Sequence, residues 1–109
     1  MDISMETVQG KMVITPAGDV DMHSSPALRE AILGQTGQKA AALIVDFSSV
    51  SYIDSSGIAT LVEGLKVMNT YGGRLQLTGM TEGILEIFRF SKLDTIFEIC
   101  GDMSDALGR

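Results

Sequence analysis

The sequence predicts an α/β fold: one domain with a mixed, mostly parallel sheet, an N-terminal antiparallel hairpin and about four helices. Three observations predict it. Two short apolar runs joined by Gln9-Gly10 open the chain. Ala41 to Phe47 is a near-continuous apolar run, the pattern of a strand covered on both faces. Around that run, stretches of helical and strand periodicity alternate, as they do in strand-helix-strand units with parallel neighbours.

Each element has its own local reason. Ile3 to Val8 alternates loosely, and Lys11 to Thr15 resumes with Met12, Val13 and Ile14. A glycine-containing turn between two such runs reads as a hairpin, closed by Pro16 and Gly18. Ser25-Pro26 reads as a helix start, with Ser25 at the N-cap and Pro26 at the first helical position. Leu28, Ala31 and Ile32 share one face of that helix, and Gly37 is its expected stop. After the central strand, Ile58, Leu61, Val62, Leu65 and Met68 recur at helical spacing until Gly72-Gly73. Arg74 to Thr78 reads as the next strand. Thr81 can cap a helix carrying Ile84, Leu85, Ile87 and Phe88. Thr95 to Ile99 reads as the last strand, and Met103 to Leu107 as a short terminal helix.

Bulk properties narrow the function. A chain of 109 residues is one ordinary domain, here residues 1–109, long enough to bury its own core. Lys plus Arg number 8 against 14 Asp plus Glu, a net charge of -6, so the bulk field does not draw nucleic acid or anionic lipid. Such a chain suits a partner with a basic docking face. Cys100 is the only cysteine and His23 the only histidine, so neither an internal disulfide nor a thiolate zinc cage is expected. The longest apolar run, Ala40 to Val45, is far short of a membrane span, and the acidic N-terminus lacks the pattern of a signal peptide. The expectation is a cytoplasmic protein with no membrane partner, no nucleic acid partner, no cofactor and no metal.

The chemistry-bearing stretch runs from Val45 to Ala59, from the end of the buried strand to the start of an amphipathic helix. Sites in open α/β sheets form at the carboxyl ends of strands. There, Ser55 and Ser56 stand at a helix N-terminus, and Gly57 leaves the backbone bare just beyond them. The first amides of a helix lack intrahelical partners and can donate to an anion. Ser and Asp at an N-cap are also common for structural reasons alone, so Asp54 can be read simply as a cap.

The run from Asp46 to Ala59, Asp-Phe-Ser-Ser-Val-Ser-Tyr-Ile-Asp-Ser-Ser-Gly-Ile-Ala, closely resembles the hallmark of the STAS domain, and among STAS domains that of bacterial anti-sigma factor antagonists. Gly18-Asp19-Val20-Asp21 resembles the family's Gly-acid-aliphatic-Asp run after the second strand. The order of elements agrees along essentially the whole chain. The resemblance implies a single STAS-like domain, not an enzyme, that works by partner switching in transcription regulation. It implies that Ser55, directly after the motif's Asp54, is phosphorylated by an anti-sigma factor that is itself a serine kinase. Unphosphorylated antagonist binds that kinase and frees the sigma factor; phosphorylation breaks the grip, and a serine phosphatase of the PP2C-like type restores it. Asp21 maps to the family's second-strand Asp near the acceptor. The expected partner-binding surface comprises Asp21, Met22, His23, Ser24, Asp54, Ser56, Gly57 and Ile58.

Other residues carry less. His23 lacks a nucleophile and an orienting group in the sequence and reads as a surface loop residue. Met22, in the same loop, is expected to be partly exposed and available to a partner, whereas Cys100 reads as a buried apolar residue. Gly79-Met80-Thr81-Glu82-Gly83 lacks the lysine and spacing of a phosphate-binding loop. Two other functions compete with the switch. One is a structural or scaffold STAS subunit of a lipid-transport or stress-signalling complex. The other, a small-ligand sensor or enzyme, lacks any acid-base pair, metal set or nucleotide motif to support it.

Overall fold

A two-residue turn starts the fold. Gln9 and Gly10 both take positive φ, 50° and 81°, the backbone of a tight hairpin turn whose twist matches its strands. It joins β1 (Asp2–Val8) to β2 (Lys11–Ala17) in register from Val8↔Lys11 to Asp2↔Ala17. The computed structural model describes residues 1–109, which continue as α1 (Ser25–Gly37), β3 (Ala42–Asp46), α2 (Ser55–Tyr71), β4 (Arg74–Thr78), α3 (Glu82–Phe90), β5 (Glu98–Ile99) and α4 (Met103–Gly108).

The five strands lie in sequence order, β1-β2-β3-β4-β5. Only β1 and β2 are antiparallel; every later pairing is parallel. Each parallel crossover therefore steps the same way across the sheet. Right-handed connections then put α1, α2 and α3 on one face. The core confirms this: Ile14, Leu43, Val45, Leu75 and Leu77 pack with Leu28 and Ile32 of α1, Leu61 and Met68 of α2, and Ile84 and Phe88 of α3. Leu43, Ile44 and Val45 are all fully buried, as the central strand's apolar run requires.

The other face is only partly covered. Val13, Ile44 and Cys100 meet Ala106 of α4 there. Polar bonds hold that short helix down. Lys11 Nζ donates to Gln76 Oε1 and to the Ala106 carbonyl at 3.0 and 2.9 Å, and Gln76 Nε2 donates to the same carbonyl at 3.0 Å. Gln76 is fully buried, so satisfying its amide on both sides is what makes its burial tolerable. Cys100 is buried as expected, and burial pushes its thiol pKa up.

Two boundaries differ from the sequence expectation. Ser25 is not the cap of α1: the N-cap position is Ser24, whose side chain makes no cap bond to the helix. Its hydroxyl instead donates to the Asp19 carbonyl at 2.6 Å and accepts from the Asp21 amide at 2.9 Å. The last strand is Glu98–Ile99 alone, because Lys92 turns left-handed (φ 59°) and Leu93–Thr95 form a 3-10 turn. Ile96 and Phe97 donate their amides back to Leu93 at 3.0 Å each, which keeps them out of the ladder. Phe97 is driven instead into the core, edge-on to Phe88 with ring centroids 5.7 Å apart. No helix is long and apolar enough to cross a membrane.

Leu61 is the fully buried centre of the α2 stripe. Leu61→Ala is expected to cost about 2–5 kcal/mol, a large share of the ~5–15 kcal/mol typical of a domain. Guanidinium unfolding measures this directly; an unchanged midpoint would contradict the packing of α2 on the sheet.

Candidate functional site

The two motifs singled out in the sequence are joined by main-chain bonds. Beyond the end of β2, the Val20 amide donates to the Tyr52 carbonyl at 2.9 Å and the Asp54 amide to the Val20 carbonyl at 3.0 Å. Val20 and Ile53 thus form an isolated parallel bridge, and both side chains are buried beneath the loop. This seam brings Asp19, Asp21 and Met22 alongside Tyr52, Asp54 and Ser55, at the carboxyl end of the central strands.

Asp54 caps α2. Its Oδ1 accepts from the Ser56 amide at 2.9 Å and the Gly57 amide at 3.3 Å, and also from the Ser56 hydroxyl at 2.6 Å. These bonds hold its carboxyl below the usual range, the Ser56 hydroxyl contributing most, the Gly57 and Ser56 amides less, with a further contribution from the Met22 amide. Two of the amides expected to be free for an anion, those of Ser56 and Gly57, are therefore already taken. So is the Ser56 hydroxyl. Ser55, one residue earlier, is exposed, and its hydroxyl makes no hydrogen bond.

Asp21 performs the matching task on the other loop. Its Oδ1 accepts from the His23 and Ser24 amides at 2.9 and 3.0 Å, and these bonds, Ser24's first, lower its pKa. Asp19 accepts from the Ser51 hydroxyl at 3.0 Å, a further tie between the two loops. None of Asp19, Asp21 or Asp54 joins a salt bridge; the basic groups that do pair lie elsewhere, as in the two-point contact of Arg29 with Glu63 between α1 and α2. The site is an acidic rim that no lysine or arginine of the chain pairs with; the one basic side chain beside it is His23, next to Asp21.

The remaining site residues divide by exposure. Met22 stands 69% exposed, and His23 is exposed too, its amide donating to Asp21. Ile58 is half-buried against the core. Gly57 is buried: a Cβ there would lie 2.6 Å from Val20 Cγ1 and 2.7 Å from Ile53 Cγ1. Its lack of a side chain lets the first turn of α2 settle onto the seam. Tyr52, 49% exposed on the same seam, is absent from the residues the sequence points to. The apolar Val50 and Ile53 that flank Ser51-Tyr52 in the sequence are both buried, which leaves the pair between them facing outward.

Comparison with known proteins finds a matching family and relatives of similar length. A family profile described as the STAS domain matches residues 2–106. The anti-sigma-B factor antagonist of Bacillus subtilis (strain 168) is 30% identical over 101 residues, covering 91% of this chain and 92% of that one. The crystal structure of an anti-sigma factor antagonist from Mycobacterium paratuberculosis superposes with a TM-score of 0.90 at 24% identity, over 98% of this chain and 91% of that one. The Bacillus cell fate determinant SpoIIAA in its phosphorylated form gives a TM-score of 0.73 at 23% identity, over 94% and 95% of the two chains.

Two outcomes are expected from the site's geometry. Gly57→Ala should destabilise the fold by about 1–3 kcal/mol, the cost of overpacking a filled core position, measurable by thermal or denaturant unfolding. The depressed carboxyls of Asp21 and Asp54 contribute stability that is fully present above the unfolded Asp value of about 3.9. It is lost as pH falls through their lower folded values. In an acid titration followed by NMR, the Ser56 and Gly57 amide resonances should shift with a midpoint below about 3.9; a midpoint above that value would contradict the cap.

Proposed function

The chain belongs to the STAS domain family, and from that premise we propose that it is an anti-sigma factor antagonist switched by phosphorylation of Ser55. One observation carries the choice of residue. Of the two adjacent hydroxyls at the start of α2, Ser56 is bonded to Asp54 at 2.6 Å while Ser55 is exposed and unpaired. An acceptor hydroxyl must enter another protein's catalytic site, and only Ser55 can do so without breaking the helix cap.

The partner in this reading is an anti-sigma factor serine kinase. It supplies the nucleotide, metal and catalytic base, so Ser55 needs no activating group of its own. The Ser55 oxygen attacks the terminal phosphorus of the nucleotide, its proton passes to the kinase base, and the nucleoside diphosphate leaves. The unphosphorylated chain binds the kinase through the acidic rim of Asp19, Asp21 and Asp54, with Met22 and Tyr52 as apolar contacts. Basic groups on the kinase are the natural complement, since no lysine or arginine of this chain pairs with the rim. A serine phosphatase of the PP2C-like type returns the chain to its binding form. The setting is the cytoplasm, and the output is release of a sigma factor.

The switch acts at the surface. A phosphate adds roughly -1.5 to -2 charge at pH 7. Asp54 already occupies the Ser56 and Gly57 amides, so the new group projects outward beside Asp54 and not into the helix end. A kinase site fitted to a neutral hydroxyl then meets two negative groups side by side, and complementarity fails without refolding of the domain.

Phosphosite mapping by mass spectrometry after reaction with the cognate kinase tests the assignment. Wild type and Ser56→Ala should each carry a single phosphate on Ser55, and Ser55→Ala should carry none. Phosphate on Ser56, or continued modification of Ser55→Ala, would overturn it.

A further inference from the structure

β1 is the long free edge of the sheet, the other being the two-residue β5, and apart from the charges of Asp2 and Glu6 it carries few of the devices that usually keep such edges apart. Its seven residues, Asp-Ile-Ser-Met-Glu-Thr-Val, include no proline and no lysine, and its register with β2 has no bulge. The direction of its unpaired groups follows from β2. Gly18 sends its amide toward the β3 side, to the Ser49 carbonyl at 2.9 Å. Backbone groups alternate along a strand, so even-numbered residues of β2 face β3 and odd-numbered ones face β1. Lys11, Val13, Thr15 and Ala17 thus bond Val8, Glu6, Ser4 and Asp2. The amides and carbonyls of Ile3, Met5 and Thr7 point out of the sheet.

The same edge is apolar on the helical face. An open groove of about 480 Å³ runs between β1 and α1, floored by Met1, Ile3 and Met5 and walled by the small residues Ala27, Ala31 and Gly34. Met1 and Met5 are 40% and 41% exposed.

We propose that β1 is a homodimer seam, in which a second copy of this chain adds its own β1 antiparallel about Met5. The strand is complementary to itself in that register. Met5 faces Met5 of the second copy, and Ile3 faces Thr7, so the outward backbone groups of both copies satisfy one another. Ser4 then stands opposite Glu6, and Asp2 opposite Val8, so no like charges face each other directly. The two grooves merge along the axis, and the Met1 and Met5 side chains leave water there. The chain's formal charge of -6 opposes association, so salt favours the dimer. This seam is independent of the phosphorylation of Ser55, and its test needs no kinase.

Site-specific cross-linking decides it. The two-fold axis brings the Cα atoms of the two residues 5 to about 5.5 Å, within disulfide range. Met5→Cys should therefore form a covalent dimer under mild oxidation, the native Cys100 being buried. Thr7→Cys, which faces Ile3 of the second copy, should form far less. By sedimentation, the wild type should rise with concentration and salt from 11.6 kDa toward twice that mass. Met5→Pro, which removes an amide that has no partner in the monomer, should stay monomeric and folded by circular dichroism. A wild type monomeric at all concentrations, equal cross-linking of the two cysteine variants, or a dimer surviving Met5→Pro would each overturn the seam. If Met5→Pro fails to fold, the cysteine pair decides alone.

Discussion

A helix leaves its first amides unpaired, and at the start of α2 one carboxylate satisfies two of them. Asp54 Oδ1 takes the amides of Ser56 and Gly57 and the Ser56 hydroxyl together. The rest of the site depends on that bond set. It fixes where α2 begins, engages the Ser56 hydroxyl, and leaves Ser55 as the unpaired one of the two serines at the helix start. The arrangement holds only because Gly57 lets the helix sit within contact of Val20 and Ile53, and because the Val20–Ile53 bridge holds the two loops side by side. Capping, close packing and loop pairing are thus three views of one constraint.

That constraint separates the groups that hold the loops together from those left at the surface. The groups that hold the loops together, Asp21 with the His23 and Ser24 amides and Asp54 with α2, are used up internally. The groups left over are Ser55, Met22, Tyr52 and unpaired negative charge. A modification at Ser55 can therefore change what the surface presents while leaving every bond of the scaffold in place. An interface built from charge complementarity responds strongly to such a change, whereas a well-capped helix end scarcely does.

Much of this was legible in the sequence. The apolar run at Leu43, Ile44 and Val45 announces a central strand, the spacing of Leu61 and Met68 announces its partner helix, and Gln9-Gly10 announces the hairpin. The start of α2 and its cap follow from Asp54-Ser55-Ser56-Gly57 ahead of a helical apolar spacing. What the sequence hides is competition for bonding groups. Ser24 and Ser25 are chemically alike, and only the position of Asp19 and Asp21 decides that Ser24 turns back into the loop and does not cap α1. Likewise Thr95 and Ile96 have strand-forming side chains, yet the left-handed turn at Lys92 and the demand to bury Phe97 override that preference. Tyr52 is hidden for a related reason: its exposure depends on Ile53 being claimed by Val20, a contact between segments far apart in the chain.

The central claim is that the negative charge on Ser55 controls association with an anti-sigma factor kinase. Calorimetric titration of that kinase with the unmodified chain, and with the chain phosphorylated at Ser55, tests it most directly. The account predicts at least a tenfold loss of affinity on phosphorylation, about 1.4 kcal/mol, with the two forms melting at similar temperatures. Equal affinities for two folded forms would contradict it.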